Sequence, residues 1–498
     1  MTWLAAPTRA GLVGVSVVLL TLTACSTHNK TLPSGPANAS AATVALSNDC
    51  SSAQCSGDRQ GAKYDINLPG KANWNGTLII WSHGYRNAAP IPSNPLSESS
   101  PTDPVDTTAQ AAPSKDVANA LTAKGYALVG SAFKTEGWDV QDGVAAANDL
   151  YSFFSSTVGK PQHVYVWGES LGGLITETLA ETHQPWISGA APLCGVLGGT
   201  NLNLDLALDV AYAVKTLVYP DLKLTGFSSH ADAVAQWKAA SRALAAKATS
   251  SAEGIADLLT IAAISGAPAK TTDFDGHDTT STGQAYAEAI VTALGYGTWG
   301  RYDIEQRVGG NPSQNAGTDY VQRVGDSARS LINLAAPGKL NAILAQLAAG
   351  QRVSADGAAR TKADGLGDPT GAIQVPTVTL HTIDDPLVIS QNETIFAGRA
   401  AKNSTSTGLL TQLFTAPPVT YQKAPYGAGH CNFTPTELTG VIDYLDGWVR
   451  NGHSNASFAA TALGYDPAST PAQQAAGTAK TGYQPALEAG AWPVAAAK

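Results

Sequence analysis

Short apolar runs alternate with helical patterns from residue 77 onward. The runs at 77–82, 126–133 and 163–167 are rich in β-branched and aromatic residues, and helix-like stretches at 114–124 and 139–156 separate them. Runs without polar alternation are typical of strands that are buried on both faces. Such strands between helices predict an α/β fold, with a mostly parallel central sheet and helices on both faces.

This alternation stops after the apolar run at 187–193, and a long stretch with helical periodicity and almost no strand pattern follows. Strand patterns return at 375–382 and 418–423, and an amphipathic helical pattern covers 434–450. The sequence therefore predicts a helical cap inserted between two strands of one sheet. The periodic stretches of the cap are 204–218, 231–247, 254–264, 285–294 and 340–349. The predicted boundaries are 47–195 for the first part of the core, 196–371 for the cap, 372–452 for the second part and 453–498 for a tail.

The N-terminus has the order of a secretory signal, with Arg9 as its single charge before an apolar run at 11–22. The run is too short for a stable membrane span. It ends in Leu-Thr-Ala-Cys25, which resembles the lipobox of bacterial lipoproteins, so we expect a signal peptide at 1–24 and an acylated Cys25. An ordinary signal peptide with a stray cysteine is the alternative. Residues 25–46 are rich in Ser, Thr, Ala and Pro and predict a flexible tether. The protein is thus expected to be exported, either anchored outside the membrane by lipid or secreted.

Composition and charge narrow the classes of partner. Hydrophobic residues make up 44% and charged residues 14% of the 498 residues, which is typical of a folded globular protein. Loss of Arg9 with the signal leaves 29 basic against 39 acidic residues, a net charge of −10. This balance argues against nucleic acid or anionic membrane surfaces as electrostatic partners. The lipid anchor is therefore the only membrane contact that we expect.

Four cysteines remain besides Cys25. An even number in an exported protein favours disulfides, because the compartment is oxidising and no Cys-x-x-Cys or Cys/His zinc spacing is present. Cys50 and Cys55 can close a small loop, which leaves Cys194 with Cys431. Two buried free thiols at 194 and 431 are the alternative. No metal site is predicted.

A candidate nucleophile lies between the strand pattern at 163–167 and the next helical stretch. Ser170 is the centre of Gly168-Glu-Ser-Leu-Gly172, and the Gly-x-Ser-x-Gly pattern occurs nowhere else in the chain. A strand-to-helix elbow of this kind holds a serine on a strained turn and needs small neighbours. Since a serine hydroxyl is a weak nucleophile, it also needs a base and an acid that orients the base.

Partners in this kind of elbow follow in the order Ser, acid, His. Among the late histidines, His381 lies inside an apolar strand and His453 in a polar turn, whereas His430 lies in the glycine-rich loop Gly427–Cys431 between the last strand and the last helix. His430 is therefore the predicted base, with a structural loop histidine as the alternative. Asp384 and Asp385 both follow the strand at 375–382. Asp385, which precedes a proline, is the preferred acid, and Asp384 is the alternative.

An oxyanion hole needs two backbone N–H groups aimed at the developing negative charge. One is expected from Leu171, the residue after the nucleophile. The other is expected from Tyr85, in the His83-Gly84-Tyr85 turn after the first core strand.

Together these motifs resemble the α/β-hydrolase superfamily, and more narrowly exported bacterial esterase-like hydrolases. The likeness covers 77–195 and 372–452 and rests on the motifs Trp74–Thr77, Ser82–Tyr85, Gly168–Gly173, Leu193–Gly195, His381–Asp385 and Gly429–Thr434. The resemblance implies a serine hydrolase that cleaves small-molecule or polymeric esters through an acyl-enzyme, with no metal or organic cofactor. A Cys194–Cys431 disulfide would pin the histidine loop to the sheet near the site, because Cys431 follows His430 and Cys194 ends the strand after the nucleophile helix.

Two other functions stay open. A serine peptidase of the prolyl-peptidase or aminopeptidase type would use the same body, with Glu169 or Asp205 as candidates to bind a substrate amino terminus. A non-catalytic surface lipoprotein could keep the fold for binding or adhesion; its mark would be a broken set of catalytic residues.

Overall fold

A computed structural model of the chain describes residues 54–70, 73–182, 184–418, 420–421 and 426–454. The predicted signal peptide and tether, Cys25, Cys50 and the tail beyond residue 454 lie outside these residues. Within the described ranges, no helix combines the length and the apolar character that a membrane crossing requires.

Among the described residues, eight strands form one sheet, and seven of them run in the same direction. The strands are β1 (Gln54–Arg59), β2 (Ala62–Asn67), β3 (Thr77–Ser82), β4 (Ala127–Ser131), β5 (His163–Glu169), β6 (Gly189–Leu193), β7 (Thr377–Thr382) and β8 (Leu410–Thr415). Their spatial order is β1-β2-β4-β3-β5-β6-β7-β8. Only β2 runs antiparallel to its neighbours, β1 and β4. A separate two-stranded ribbon pairs Ile91–Pro92 with Thr102–Asp103.

Helices cover both faces of this sheet and fill the segment between β6 and β7. They are α1 (Lys115–Ala123), α2 (Val140–Thr157), α3 (Leu171–Glu181), α4 (Thr200–Leu217), α5 (His230–Ala248), α6 (Ala252–Ser265), α7 (Thr279–Gly295), α8 (Arg301–Val308), α9 (Tyr320–Arg323), α10 (Asp326–Ala335), α11 (Leu340–Ala349), α12 (Gly357–Asp364), α13 (Gln391–Ala400) and α14 (Pro435–Asn451). A π-helical turn, Tyr296–Gly300, joins α7 to α8, and a 3₁₀ turn, Ser404–Ser406, precedes β8.

Alternating side chains of the central strands supply two hydrophobic cores. On β3, Leu78 and Ile80 pack on the face covered by α2 and α3, while Ile79 and Trp81 pack on the face covered by α1 and α14. All six residues of β3 are buried. This double burial explains why the strand reads as a continuous apolar run. The predicted α/β fold, with a mostly parallel central sheet and helices on both faces, is confirmed.

The inserted helices have a core of their own. Its members include Leu208, Trp237, Ile261 and Trp299, from α4, α5, α6 and the π-helical turn. The fully buried Arg301 guanidinium donates to Ser313 Oγ at 2.7 Å and to the carbonyl of Leu204 at 2.9 Å, so that polar bonds also tie these helices together.

The strand predicted at 418–423 is wrong for the part of it that the structure describes. The last strand of the sheet is β8, Leu410–Thr415, and residues 418, 420 and 421 are not in a strand. Pro417 and Pro418 have no N–H to give to a sheet. Tyr421 bonds instead to the insertion, where its hydroxyl donates to the carbonyl of Phe274 at 2.8 Å. Four of the six β8 residues are only half-buried, which explains its weak apolar pattern.

Candidate active site

Ser170 occupies the turn between β5 and α3 in a left-handed conformation, with φ 58° and ψ −118°. Such a conformation costs a non-glycine residue of the order of 1–3 kcal/mol, so the surrounding structure must hold it. Gly172 allows this, because a Cβ atom there would lie 2.0 Å from the carbonyl oxygen of Ser82. The close crossing of α3 over β3 thus fixes the turn that presents the Ser170 hydroxyl.

Three of the predicted side chains form a hydrogen-bonded row. Ser170 Oγ lies 2.8 Å from His430 Nε2, and His430 Nδ1 lies 2.7 Å from Asp385 Oδ2. Since a carboxylate can only accept, His430 Nδ1 carries the proton and Nε2 accepts from the Ser170 hydroxyl. The other oxygen of the buried Asp385 carboxylate accepts the N–H groups of Leu387 and Val388, both at 2.9 Å. These bonds orient the carboxylate towards the imidazole.

Asp384 contributes its backbone rather than its side chain to this arrangement. Its carbonyl accepts the N–H of Gly429 at 3.2 Å, and it forms an isolated bridge with Ala428. The segment after β7 therefore holds the histidine loop directly. Burial raises the pKa of the Asp384 carboxyl to about 7, an effect that the charge of Lys270 opposes. The structure brings Asp385, and not Asp384, to His430.

The loop after β3 lies against the nucleophile. A Cβ atom on Gly84 would be 3.3 Å from Ser170 Cβ and 3.9 Å from Ser170 Oγ. His83 stacks on Phe133 with ring centroids 4.0 Å apart, and its Nδ1 donates to the carbonyl of Gly84 at 2.7 Å. Burial lowers the pKa of His83 to about 3, so the ring is neutral and supports the loop as a hydrogen-bond donor. Both predicted oxyanion donors, Tyr85 and Leu171, thus belong to segments next to Ser170.

Cys194 and Cys431 are joined by a disulfide bond. The bond links the residue after β6 to the residue after His430, and both cysteines have positive φ, 42° and 53°. Cys431 Sγ lies 3.4 Å from His430 Nε2. The two sulfurs and His430 are close enough for metal ligands, but sulfurs bonded to each other are not thiolates and do not suit a metal. Cys55 is buried on β1, and its predicted partner Cys50 lies outside the described residues.

Aromatic side chains of the insertion approach the loop after β3. The Tyr85 ring lies 5.5 Å from that of Tyr296 and 6.2 Å from that of Trp299, both on the π-helical turn, and 6.3 Å from Trp138. Turns of this kind often occur at functional sites. Sequence reasoning missed this contact, for which the only signal is the three-residue spacing of Tyr296 and Trp299.

Asp205 and Glu169, the two carboxylates considered for binding the amino terminus of a peptide substrate, have different surroundings. Asp205 is held by Arg360, whose guanidinium nitrogens lie 2.9 and 3.0 Å from its oxygens, and by the N–H of Gln314 at 2.8 Å. Glu169 is half-buried beside Ser170, and burial raises the pKa of its carboxyl to about 8.

Sequence reasoning set His381 aside as a strand residue and did not consider Glu393. The structure places the buried His381 ring beside the Asp385 carboxylate, with Nε2 3.7 Å from Oδ2, the same oxygen that His430 Nδ1 contacts. His381 in turn contacts Glu393 on α13. A histidine in an apolar strand indicates a buried polar partner, but the sequence does not show which residue that partner is.

No family model and no curated protein sequence matches this chain. Solved structures do match over much of its length. Feruloyl esterase B from Aspergillus oryzae matches with 13% identity and a TM-score of 0.38, covering 81% of each chain. Est1E from Butyrivibrio proteoclasticus matches with 11% identity and a TM-score of 0.31 over 80% of this chain and 98% of its own. The acylaminoacyl peptidase of Pyrococcus horikoshii matches with 7% identity and a TM-score of 0.30, over 71% of this chain and 34% of its own. At these values the likeness carries no argument about substrate.

Proposed function

We propose that the protein is a serine hydrolase that cleaves carboxylic esters through an acyl-enzyme intermediate. The observation that carries the proposal is the continuous row from Ser170 through His430 to Asp385, with hydrogen-bond distances of 2.8 and 2.7 Å. A serine in a strained turn beside a base with a fixed tautomer is the arrangement that acyl transfer needs.

In the first half of the reaction, Ser170 Oγ attacks the ester carbonyl carbon while His430 Nε2 takes the hydroxyl proton. The carbonyl oxygen becomes an oxyanion, which the N–H groups of Leu171 and Tyr85 would stabilise; each such donor is worth of the order of 3 kcal/mol. The bond to the leaving alcohol then breaks, and the proton on His430 passes to the alkoxide. The product alcohol departs and Ser170 carries the acyl group.

In the second half, a water molecule takes the place of the alcohol. His430 Nε2 accepts a proton from the water as the oxygen attacks the acyl carbon, and the oxyanion forms again at the same donors. Collapse breaks the bond to Ser170 Oγ, which recovers its proton from His430. The carboxylic acid product is released, with Asp385 stabilising the imidazolium in both halves.

A serine peptidase of the prolyl-peptidase or aminopeptidase type would use the same three side chains. It needs a carboxylate for the substrate amino terminus, and the pairing of Asp205 with Arg360 leaves Glu169 as its remaining candidate. A non-catalytic binding lipoprotein would not need an activated serine at all. The three functions differ in what reacts at Ser170.

We also propose that the protein is exported and anchored by lipid on Cys25, or secreted. The disulfide between Cys194 and Cys431 supports an oxidising compartment. Acylation of Cys25 can be tested by metabolic labelling with a fatty-acid analogue, which Cys25→Ala should abolish.

The proposed hydrolase is tested by labelling the mature protein with a fluorophosphonate probe, followed by assays on p-nitrophenyl esters and amino-acyl p-nitroanilides. We expect labelling of the wild type, none of Ser170→Ala, and turnover of esters only. Ser152→Ala, at an exposed position on α2, is the matched control and should label as the wild type does.

Other outcomes would assign another function. Turnover of nitroanilides would replace ester hydrolysis by the peptidase activity. A folded wild type that does not label would mean that Ser170 is not activated, which contradicts the proposal and favours the binding protein.

A further inference from the structure

A second histidine and a second carboxylate lie beside Asp385, outside the row already described. His381 on β7 is 0% exposed and Glu393 on α13 is 1% exposed. His381 Nδ1 lies 3.2 Å from Glu393 Oε1, and His381 Nε2 lies 2.7 Å from the carbonyl oxygen of Val388. The same Nε2 atom is 3.7 Å from Asp385 Oδ2.

The hydrogen-bond partners determine the protonation state of this histidine. Nε2 faces a backbone carbonyl, which can only accept, so Nε2 carries a proton. Nδ1 faces a carboxylate whose other oxygen already accepts from Thr379 Oγ1 and from Gln412 Nε2, both at 2.7 Å. Two donors on that oxygen favour the carboxylate form of Glu393, to which Nδ1 then donates as well. His381 is then an imidazolium.

Other charged groups around the pair agree with this assignment. Burial opposes the charged imidazole, but the hydrogen bond and charge of Glu393, together with Asp385, raise the pKa of His381 above its usual value. Glu177 on α3 is an acidic group that lies near both Glu393 and Glu181. Burial raises the pKa of Glu177 well above its usual range, and the charges of Glu181 and Glu393 add to this effect. Glu177 is therefore neutral and adds no charge beside the pair.

We propose that His381, kept protonated by Glu393, is a positioning residue that sets the pH at which His430 becomes protonated. Its cationic ring lies 3.7 Å from Asp385 Oδ2, the oxygen that also bonds His430, and offsets part of the carboxylate's charge. An imidazolium at His430 is then less stabilised than it would be beside an unopposed carboxylate, so His430 stays available as a base to lower pH. The kinetic consequence rests on the proposed hydrolase function, but the charge of His381 does not.

The first test replaces the pair by neutral residues that can still form hydrogen bonds, in the double variant His381→Gln, Glu393→Gln. Without the imidazolium, Asp385 favours protonation of His430, so the acid limb of the kcat/KM profile should move up by about one pH unit. Thr379→Val is the matched control, since it removes a hydrogen bond to Glu393 and leaves both charges in place. Its acid limb should stay where it is in the wild type.

The second test needs neither activity nor a folded variant of the pair. In wild-type protein labelled with ¹⁵N-histidine, NMR should detect a buried imidazolium that keeps both ring protons from pH 5 to pH 8.5. The exposed His277 also contacts a carboxylate and could give a similar signal, so the spectrum of the His277→Gln variant is recorded to identify that signal. The same spectra give the pH at which His430 titrates.

The outcomes separate this inference from the proposed function. Absence of a persistent imidazolium, or a double variant whose His430 titrates as in the wild type, overturns the inference even if esters are hydrolysed. Conversely, a persistent imidazolium and a shifted His430 in a protein that neither labels nor hydrolyses esters keep the inference and reject the hydrolase.

Discussion

Asp384 and Asp385 are neighbours in sequence, but their carboxyl groups lie in different environments. Asp385 is 1% exposed and accepts hydrogen bonds from His430 and from two backbone N–H groups. Asp384 lies near Lys270 and two tyrosines, Tyr286 and Tyr421, and its carboxyl is held mainly in its neutral form by burial. One residue of displacement after β7 is thus enough to separate a carboxyl group that bonds to His430 from one whose pKa is raised by burial.

Asp384→Asn should therefore change how stability depends on pH. The folded wild type keeps this proton up to about pH 7, whereas the unfolded chain loses it near pH 4, so wild-type stability falls as the pH rises between these values. The asparagine of the variant does not titrate, so the stability of the variant does not fall in this way. We expect it to gain about 1–2 kcal/mol over the wild type at pH 8 and almost nothing at pH 4, a figure reduced from the full shift because the side chain is partly exposed. Urea unfolding at both pH values measures the difference.

The neighbouring residue provides the control for this experiment. Asp385→Asn should lower ester turnover by roughly 10³–10⁴-fold, because the wrong histidine tautomer is then favoured. Asp384→Asn should keep turnover within a few-fold of the wild type. If Asp384→Asn lost the activity instead, the assignment of the acid would be reversed.

At this scale the sequence predicted those residues whose chemistry depends on order and spacing. Ser170, His430 and Asp385 lie together in the structure. A sequence motif, a glycine-rich loop and the end of a strand indicate these three residues. Glu393 could not be predicted, because only the packing of α13 against the sheet brings it to His381. Lone acidic residues on helices are common, and nothing in the sequence distinguishes this one.

At the scale of elements, the elbow between β5 and α3 depends on the contact between Gly172 and β3. The helix begins at Leu171, one residue after the nucleophile, and crosses the strand so closely that no side chain fits between them. Gly173 has a similar role against Gly195, whose Cα would lie 2.7 Å from an added Cβ. The glycines thus determine how near α3 can come to the sheet.

Gly172→Ala should consequently be severely destabilising. A methyl group cannot occupy a position 2.0 Å from the carbonyl oxygen of Ser82, so α3 must move and displace Ser170. We expect a loss of about 3 kcal/mol or more in the free energy of unfolding, with loss of fluorophosphonate labelling. Gly283→Ala on α7 is the matched control, since no atom lies within 4 Å of its added Cβ. It should be neutral or stabilising by up to about 1 kcal/mol, and equal effects at both sites would contradict the packing argument.

Strands that the sequence missed are those without a full apolar face. β1 and β2 form an antiparallel pair at one edge of the sheet, where exposed and half-buried positions outnumber buried ones. β8 closes the other edge in the same way. Central strands, buried on both sides, were predicted within a few residues. Edge strands carry a weaker pattern because they share only part of their surface with the core.

At the scale of the whole molecule, the Cys194–Cys431 disulfide joins the two halves of the sheet across the inserted helices. The two cysteines are 237 residues apart in sequence. A crosslink that closes so long a loop restricts the unfolded chain strongly, and typical gains are about 2–5 kcal/mol. The bond also fixes the loop that carries His430.

Replacing both cysteines by serine should therefore lower stability by about 2–5 kcal/mol and reduce ester turnover. Urea unfolding with and without a reducing agent measures the first effect, and p-nitrophenyl ester assays measure the second. The reduced wild type should behave as the reduced variant does. Any further change when the variant itself is reduced would report the predicted Cys50–Cys55 bond. Equal unfolding midpoints for variant and oxidised wild type would exclude the stabilising role.

The separation of Ser170 from His430, 260 residues along the chain, also has a consequence for synthesis. A ribosome that adds 5–20 residues per second makes the nucleophile roughly 10–50 s before the residue that would activate it. Until residues 377–382 are made, β6 has no β7 to pair with, and the growing chain presents an open sheet edge. The nascent protein therefore depends on being kept from aggregation, and it cannot hydrolyse anything until its last strands and helix have been made.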